Sequence, residues 1–521
     1  MHKKIIALCL GLACLAAAGL PARAQDASVL KLTLNDCVVR ALQHNISLQV
    51  AVLGPESAAL SLLQAKDIYL PTLSFSYSKR NSESASYSFL DSGSSTITKT
   101  DSLSGSINQT TPWGGKLSLS MSDGTTDTTQ IGNTINPRYS TGLSLSFSQP
   151  LLKGFGAKMT NKDIIIARNS LDSSKMQLEK TVEDTIYSVT QAYWMLVYSV
   201  ENYKVQQTSL QLAKDLLAQN QRKVEIGQMA PLEVISAQAQ VANIEAQLLS
   251  SESSIKAYED NLRLLLAFSD EEEKTIKTIE AVDKPDFTAQ PVDLDEALAT
   301  AMAKRPDLKM NRISIQSQEL NLAYAKNQLL PSLNLTAGFS SPGVSGTVIS
   351  YSGSPLDGIV LSQTERGVSY AFKDTFAMKY PNWNIGLTLD VSLSSFLTKA
   401  SYGMARLNLK SSLLNLKSAE KTVVNEVRTA VRLLQTTYKQ VEAYKVARDL
   451  AEKNLAAEQE KLRVGMSTNY LVLTYQSALG SARTSELQAI VSYNVAKTGL
   501  ERALGTLLEN KSIKVSDIPV Q

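Results

Sequence analysis

Residues 182–203 read VEDTIYSVTQAYWMLVYSVENY, and their apolar positions alternate in steps of four and three: Val182, Ile186, Val189, Tyr193, Leu196, Val200, Tyr203. A seven-residue apolar repeat is the period at which helices pair and supercoil along their length. The segment lies inside a run, 158–226, that contains neither Pro nor Gly. At 1.5 Å of rise per residue such a helix is about 100 Å long, more than a globular domain accommodates. Shifted forward by 241 residues, the series returns as Val423, Val427, Ala430, Leu434, Thr437, Val441 and Tyr444. That second series sits in another Pro-free helix, predicted over 398–464. The chain builds one long rod twice, and the other segments read as what lies at the ends of the rods.

The first 24 residues read as a secretory leader: Lys3 and Lys4, an apolar run from Ile5 to Leu20, and the small-x-small site Ala22-Arg23-Ala24. Without Lys3, Lys4 and Arg23 the formal charge falls from +3 to about zero, which argues against nucleic acid as a partner. Cys9 and Cys14 leave with the leader, so Cys37 has no partner for an intramolecular disulfide. His44 is then the sole histidine, and neither a metal site nor a catalytic triad is expected; the chain is read as needing no cofactor. Beyond the leader no apolar run reaches the length of a membrane helix. An exported chain of this kind is either soluble or crosses a membrane as a β-barrel.

Residues 34–70 are predicted helical up to Leu70-Pro71, with a kink or break at Gly54-Pro55. The period then drops to two: Leu73, Phe75 and Tyr77 alternate with Ser74, Ser76 and Ser78. Leu117 to Met121 and Leu143 to Phe147 alternate the same way, within a β region over 72–150. A soluble sandwich gives this pattern too. A Ser/Thr face with aromatics near strand ends (Tyr87, Phe89, Trp113, Tyr139) fits a transmembrane barrel better. The turn Pro112-Trp113-Gly114-Gly115 signals an extra hairpin without saying where it belongs. After the first long helix, Gly227 and Pro231 bracket a tight turn, and a shorter helix with its own heptads is expected over 232–268.

Residues 269–293 read as a linker opening on a solvated acidic run, Asp270 to Glu273. The pattern then restarts. At an offset of 260, Leu34, Ala41, Leu48, Leu62, Ala65, Lys66, Leu70, Pro71 and Leu73 meet identical residues from Leu294 to Leu333. A second β region (332–393) and a second short helix (469–508) follow, and at an offset of 238 Gly227 aligns with Gly465. The domains are therefore a leader (1–24), a first repeat (25–268), a linker (269–293), a second repeat (294–508) and a tail (509–521). Each repeat is expected to run helix, strand, strand, long helix, short helix.

Together these features resemble the outer-membrane efflux protein (TolC) family over Leu34 to about Leu508. The resemblance rests on the joints Leu70-Pro71 and Leu330-Pro331, on FSQPLL at 147–152, and on two tips, VEIGQMAPLEVI (224–235) and LRVGMSTNYLVL (462–473). It implies an α+β membrane protein, a homotrimer whose protomers each lend four strands to one twelve-stranded barrel, joined to a long periplasmic α-helical barrel. Four strands are too few to enclose a channel, which gives the oligomer a physical reason. It further implies contact with outer-membrane lipid, and a periplasmic adaptor and an inner-membrane pump, of RND or ABC type, docking at the tips. The adaptor-contact role falls on Gly227, Gln228, Met229, Ala230, Gly465, Met466, Ser467 and Thr468.

One departure concerns the aperture. Some relatives narrow the tunnel with aspartates just beyond the second tip, tethered by Arg and Tyr; here those positions are Leu471 and Thr474, with Ser467 and Leu462 where Arg and Tyr would stand, which argues against an acidic gate. Candidate aperture residues are therefore Leu471 and Tyr475, with Thr474 and, at the first tip, Glu233. The leading function is a passive exit duct for small molecules or polypeptides in tripartite efflux or type I secretion. A second class is an exported coiled-coil tether or adhesin with no channel. A third, a hydrolase, is disfavoured because GxSxG, HExxH and phosphate-loop motifs are all absent.

Overall fold

The structure, a computed structural model, describes residues 29–86, 94–130, 133–289, 291–353, 359–393 and 395–513. The leader, Tyr87, Phe89 and the end of the tail lie outside the described residues. The chain opens with β1 (Val29–Leu32), α1 (Leu34–His44) and α2 (Ile46–Lys66). Four strands follow: β2 (Thr72–Ala85), β3 (Ser95–Thr110), β4 (Lys116–Thr128) and β5 (Ile135–Pro150). A single turn, α3 (Ala157–Thr160), leads into α4 (Lys162–Glu225), and α5 (Pro231–Leu266) returns. After α6 (Asp270–Thr275) and β6 (Thr278–Ala281) come α7 (Leu294–Lys304), α8 (Pro306–Asn327), β7 (Ser332–Tyr351), β8 (Val360–Glu365), α9 (Val368–Phe376) and β9 (Asn382–Asp390). The long α10 (Phe396–Arg463), α11 (Asn469–Leu504) and the turn α12 (Leu507–Asn510) complete the chain.

Both offsets hold. Helices α7 and α8 begin 260 residues after α1 and α2, β7 begins 260 after β2, and α11 occupies the bounds of α5 shifted by 238. In the first helical stretch the break does not fall at Gly54-Pro55. Pro55 sits inside α2 without breaking it. The break comes at Asn45, whose extended backbone (φ −61°, ψ 119°) ends α1. Asn45 suits a break because its amide bonds backbone outside the helix, donating to the carbonyl of Leu265 at 2.8 Å. Ile46–Tyr69 is also long and apolar enough to cross a membrane by length and composition. Ser47, Gln49 and Ser57 interrupt it, so a search for an unbroken apolar run passes over it.

The chain folds as two units, whose boundaries cut both long helices, at 184/185 and at 434/435. In the unit containing 185–289 and 435–497, fully buried Tyr193 donates to Asp283 Oδ2 at 3.1 Å. The same carboxylate oxygen accepts from the Leu34 amide at 2.7 Å. Burial holds the Tyr193 phenol above its ordinary pKa. Phe287 stacks on Tyr438 and meets Tyr493 edge-on, with centroids 4.9 and 5.4 Å apart. The stretch read as a linker is thus fastened down, and it contributes β6, which pairs in parallel with β1. Within its acidic run Glu272 turns inward to Arg40 at 2.6 Å, which pulls its carboxyl down to about 2.

The other unit holds a seven-stranded sheet, ordered β2-β3-β4-β5-β7-β8 with β9 also on β7. This corrects the strand count of both repeats. The first carries four strands, because the hairpin β3–β4 stands between β2 and β5. The second carries three, because α9 separates β8 from β9 along one edge of β7. The hairpin turn is the Pro112–Gly115 signal: Thr111 N–H donates to Gly115 O at 2.7 Å, and Gly114 takes φ +91°.

The ladders align one residue from each of six strands, Leu73, Ile107, Leu119, Leu145, Phe339 and Trp383, in a single row. The next row, on the opposite face, is Ser74, Ser106, Ser120, Ser144, Ser340 and Asn382. The sheet therefore has one apolar and one hydroxyl face. Leu73, Ile107, Leu119, Leu145 and Trp383 of the apolar row stay exposed, Trp383 at 75%, and on the same face Phe75 is 74% exposed. Cross-strand hydroxyls pair on the other face, Ser76 with Ser104 at 2.7 Å and Ser120 with Ser144 at 2.6 Å. Helix α9 lies on the apolar side beyond this band, where Thr375 meets Thr141 at 2.6 Å. Gly343 leaves room beneath it, since a Cβ there would overlap the Ala371 carbonyl.

Candidate functional site

The two tips are the same turn built from different sequences. Helix α4 ends with Gly227 at φ +74° and α10 with Gly465 at φ +80°. In the first, Gly227 N–H donates to Val224 O at 2.9 Å and Gln228 N–H to Lys223 O at 2.8 Å. In the second, Gly465 N–H donates to Leu462 O at 3.2 Å and Met466 N–H to Lys461 O at 2.8 Å. That pair of bonds is a Schellman cap, which satisfies orphan helix carbonyls and needs a left-handed residue that Gly supplies without strain. The return helices start differently, α5 on Pro231 after Ala230 and α11 after Thr468, whose hydroxyl accepts from Leu471 N–H at 3.4 Å.

Asn469 joins the tips. It is buried, and its amide donates to the Met229 sulfur at 3.2 Å. Gly227, Gln228, Ala230, Gly465, Met466 and Thr468 stay exposed, while Met229 and Ser467 are half-buried. Ser467 donates to Glu458 Oε1 at 2.5 Å, and Lys461 reaches the other carboxylate oxygen at 3.0 Å. Those partners, the Ser467 hydroxyl first, hold the Glu458 carboxyl below its usual range. Around the caps stand exposed apolar side chains: Ile226, Leu232 and Ile235 at the first tip, Val464, Met466 and Tyr470 at the second.

The aperture candidates divide. Leu471 and Thr474 are exposed one turn apart on α11. Tyr475 instead packs inward against Leu216, Leu455, Val472, Leu473 and Leu479. Glu233 is half-buried in the first turn of α5, its N–H on Ala230 O at 3.1 Å.

The model of the outer membrane efflux protein family matches residues 37–267 and 297–506, which include both tips. The chain belongs to that family. Its place is the outer membrane. Outer membrane protein TolC of Escherichia coli is 23% identical over 380 residues, 70% of this chain and 73% of that protein. TolC of Vibrio cholerae is 24% identical over 389 residues, covering 73% of this chain and 80% of its own. Among solved structures, the Campylobacter jejuni CmeC outer membrane channel superposes with a TM-score of 0.63 at 17% identity, covering 93% of this chain and 90% of CmeC. The outer-membrane channel OprN gives 0.65 at 14% identity over 91% and 90%.

Three residues that the sequence reading passed over complete the efflux-protein tips: Asn469, Glu458 and Asn220. Asn220 is fully buried, and neither of its amide atoms finds a partner among the described residues. It follows buried Ala213 and Leu216 at helical spacing. A polar residue at a buried seam position fixes register at a cost in stability; Asn220 lies one residue off the four-three series continued from Val182, so that series does not point to it.

Proposed function

We propose that three copies of this chain form the outer-membrane exit duct of a tripartite efflux or secretion assembly. The duct is passive and not an enzyme; a separate inner-membrane pump, of RND or ABC type, supplies the energy through a periplasmic adaptor. The observation that carries the reading is the two-faced sheet, an apolar row across six strands backed by a row of Ser. That alternation suits lipid on one side and a water-filled bore on the other.

Two further observations support self-association. Among the described residues no strand pairs with the outer edge of β2 or of β9, and open edges do not persist in a hydrocarbon environment. Ile46, Val50, Leu53, Leu60 and Leu63 of α2 are exposed along the helix, an apolar stripe that a neighbouring copy would cover. For adaptor docking, each tip offers a rigid Gly-capped turn ringed by exposed apolar side chains.

The test is the molar mass of the chain extracted in detergent from purified outer membranes, followed by planar-bilayer recording. A trimer that opens ion-conducting pores is the expected result. A water-soluble monomer or dimer without conductance would sink the duct and leave an exported tether or adhesin.

A further inference from the structure

We propose that the barrel of this efflux protein is eighteen-stranded: the hairpin β3–β4 is part of the membrane wall, and three copies of a six-strand wall close the barrel. The inference rests on the trimeric duct proposed above and names the bore its cargo crosses.

The hairpin is wall on three grounds. Its strands are paired on both sides by long ladders, β3 to β2 from Thr72↔Asn108 to Ala85↔Ser95, and β4 to β5 from Lys116↔Ser148 to Thr126↔Arg138. A flap or plug would leave one side of the hairpin free. Second, its alternation is in phase with its neighbours: Leu103, Ile107, Leu117 and Leu119 are exposed on the lipid-suited face, and Ser104, Ser106, Ser120 and Ser122 fall on the other. A hairpin folded over or into the barrel has no need to match the wall residue by residue. Third, its turn is fixed to the neighbouring strand, with Gln149 of β5 donating to Trp113 O at 3.1 Å. Gly115 has no room for a side chain there, since a Cβ would lie 2.5 Å from Gln149 Oε1.

Along the wall β8 and β9 occupy one position, one above the other on β7, so each copy contributes β2, β3, β4, β5, β7 and the β8/β9 strand. Barrel diameter grows roughly linearly with strand number, so eighteen strands give a bore about half again as wide as twelve. Two rows that would face this bore, Ser74 to Asn382 and Ser76, Ser104 and Ser122, are hydroxyl and amide without charge. The membrane segment then admits bulky polar cargo, and farther along the same face one row carries Arg80 and Arg138 with Thr100 and Thr126 between them.

The hairpin is removable in register. Leu73 and Leu145 share a row, so Ala85 joined to Asn133 through an Asn-Gly turn brings β2 against β5 with both faces preserved. The experiment is electron cryomicroscopy of the full chain and of this deletion in lipid nanodiscs, counting wall strands. It is paired with exclusion of graded polyethylene glycols applied from the external side. Expected are trimers with eighteen wall strands for the full chain and twelve for the deletion, with the polymer radius cut-off about 1.5 times larger for the full chain. A trimeric full chain with twelve wall strands, its hairpin lying off the wall, overturns the inference and leaves the duct standing. Absence of a trimer sinks the duct reading instead. Where the deletion fails to fold, the strand count of the full chain decides alone.

Discussion

The heptad seam of the long helices and the outward row of the sheet are built from the same kinds of side chain and end in opposite surroundings. Val182, Val189 and Leu196 on α4 are completely buried within one chain, whereas Leu73, Phe75, Ile385 and Leu387 on the strands stand uncovered. Apolar surface that the chain itself covers stabilises the fold by removal from water, roughly 25 cal/mol per Å². The uncovered surface of the sheet gains nothing until another solvent covers it. The seam therefore needs no membrane, and the sheet does. A water-soluble sandwich would bury its alternating apolar face; this one presents it in a band.

Substitutions on the two surfaces test that contrast. The largest effect is expected in the seam: Leu196→Ala opens a cavity in a fully buried site and should cost about 2–5 kcal/mol, read as a shift in the denaturant midpoint of the helical signal. A loss below about 1 kcal/mol would mean the seam is loosely packed. Next comes the sheet, where Leu145→Arg places a charge in lipid at about 2–4 kcal/mol, while its neighbour Ser144→Arg faces water and should cost little. Folding yield into lipid vesicles compares the two, and equal yields would erase the distinction between the faces.

A titratable probe sits within the seam. Glu183 is buried beside Val182, its Oε1 lacks a partner among the described residues, and burial pushes its carboxyl up to about 7. The folded chain keeps this proton up to about pH 7, while the unfolded chain releases it near pH 4.5, as an ordinary glutamate does. Stability from this group is thus lost as pH rises from about 4.5 through about 7. Glu183→Gln should therefore stabilise the helical signal at pH 8, by up to about 3 kcal/mol, and have no effect at about pH 4. A gain independent of pH would mean that Glu183 is not protonated in the fold. Smaller again is the cost at the tips, where Gly227→Ala and Gly465→Ala each force a side chain into a left-handed cap at about 1–2 kcal/mol. Matching losses in the two variants are expected; a loss in only one would show that the caps are not equivalent. The smallest structural change is Leu471→Asp with Thr474→Asp, which should raise cation selectivity in single-channel recordings. Unchanged selectivity would remove both residues from the narrowest point.

The rods, both joints and both caps were legible because each is written twice. Repetition also held an answer that went unread. Pro306 opens α8, and the residue 260 positions earlier is Ile46, the first residue of α2; the second copy marks with Pro the break that the first makes with Asn45. Gly54-Pro55 has no such echo and does not break its helix. The β regions were less legible because they diverge between repeats. An inserted hairpin copies the wall alternation and so is hidden by it, whereas α9 interrupts a strand with a short helical pattern seated on Gly343. At the tips the Gly caps were readable from backbone chemistry. Asn469 to Met229 and Ser467 to Glu458 were not, since the first joins residues 240 apart on the two tips and the second depends on how the turn folds Ser467 back on its helix.

The two faces of the sheet can be told apart with single cysteines. Cys37 is buried, and its thiol is pushed up to about 12, mainly by burial, so it stays silent toward labels in the folded protein. The measurement is fluorescence quenching in lipid vesicles of a small maleimide fluorophore at Phe75→Cys, Leu103→Cys, Leu119→Cys and Leu145→Cys, against Ser76→Cys, Ser104→Cys, Ser120→Cys and Ser144→Cys. The predicted result is that brominated lipid chains quench the first set and aqueous iodide the second. Indifference of the first set to brominated lipid would contradict a lipid-facing wall.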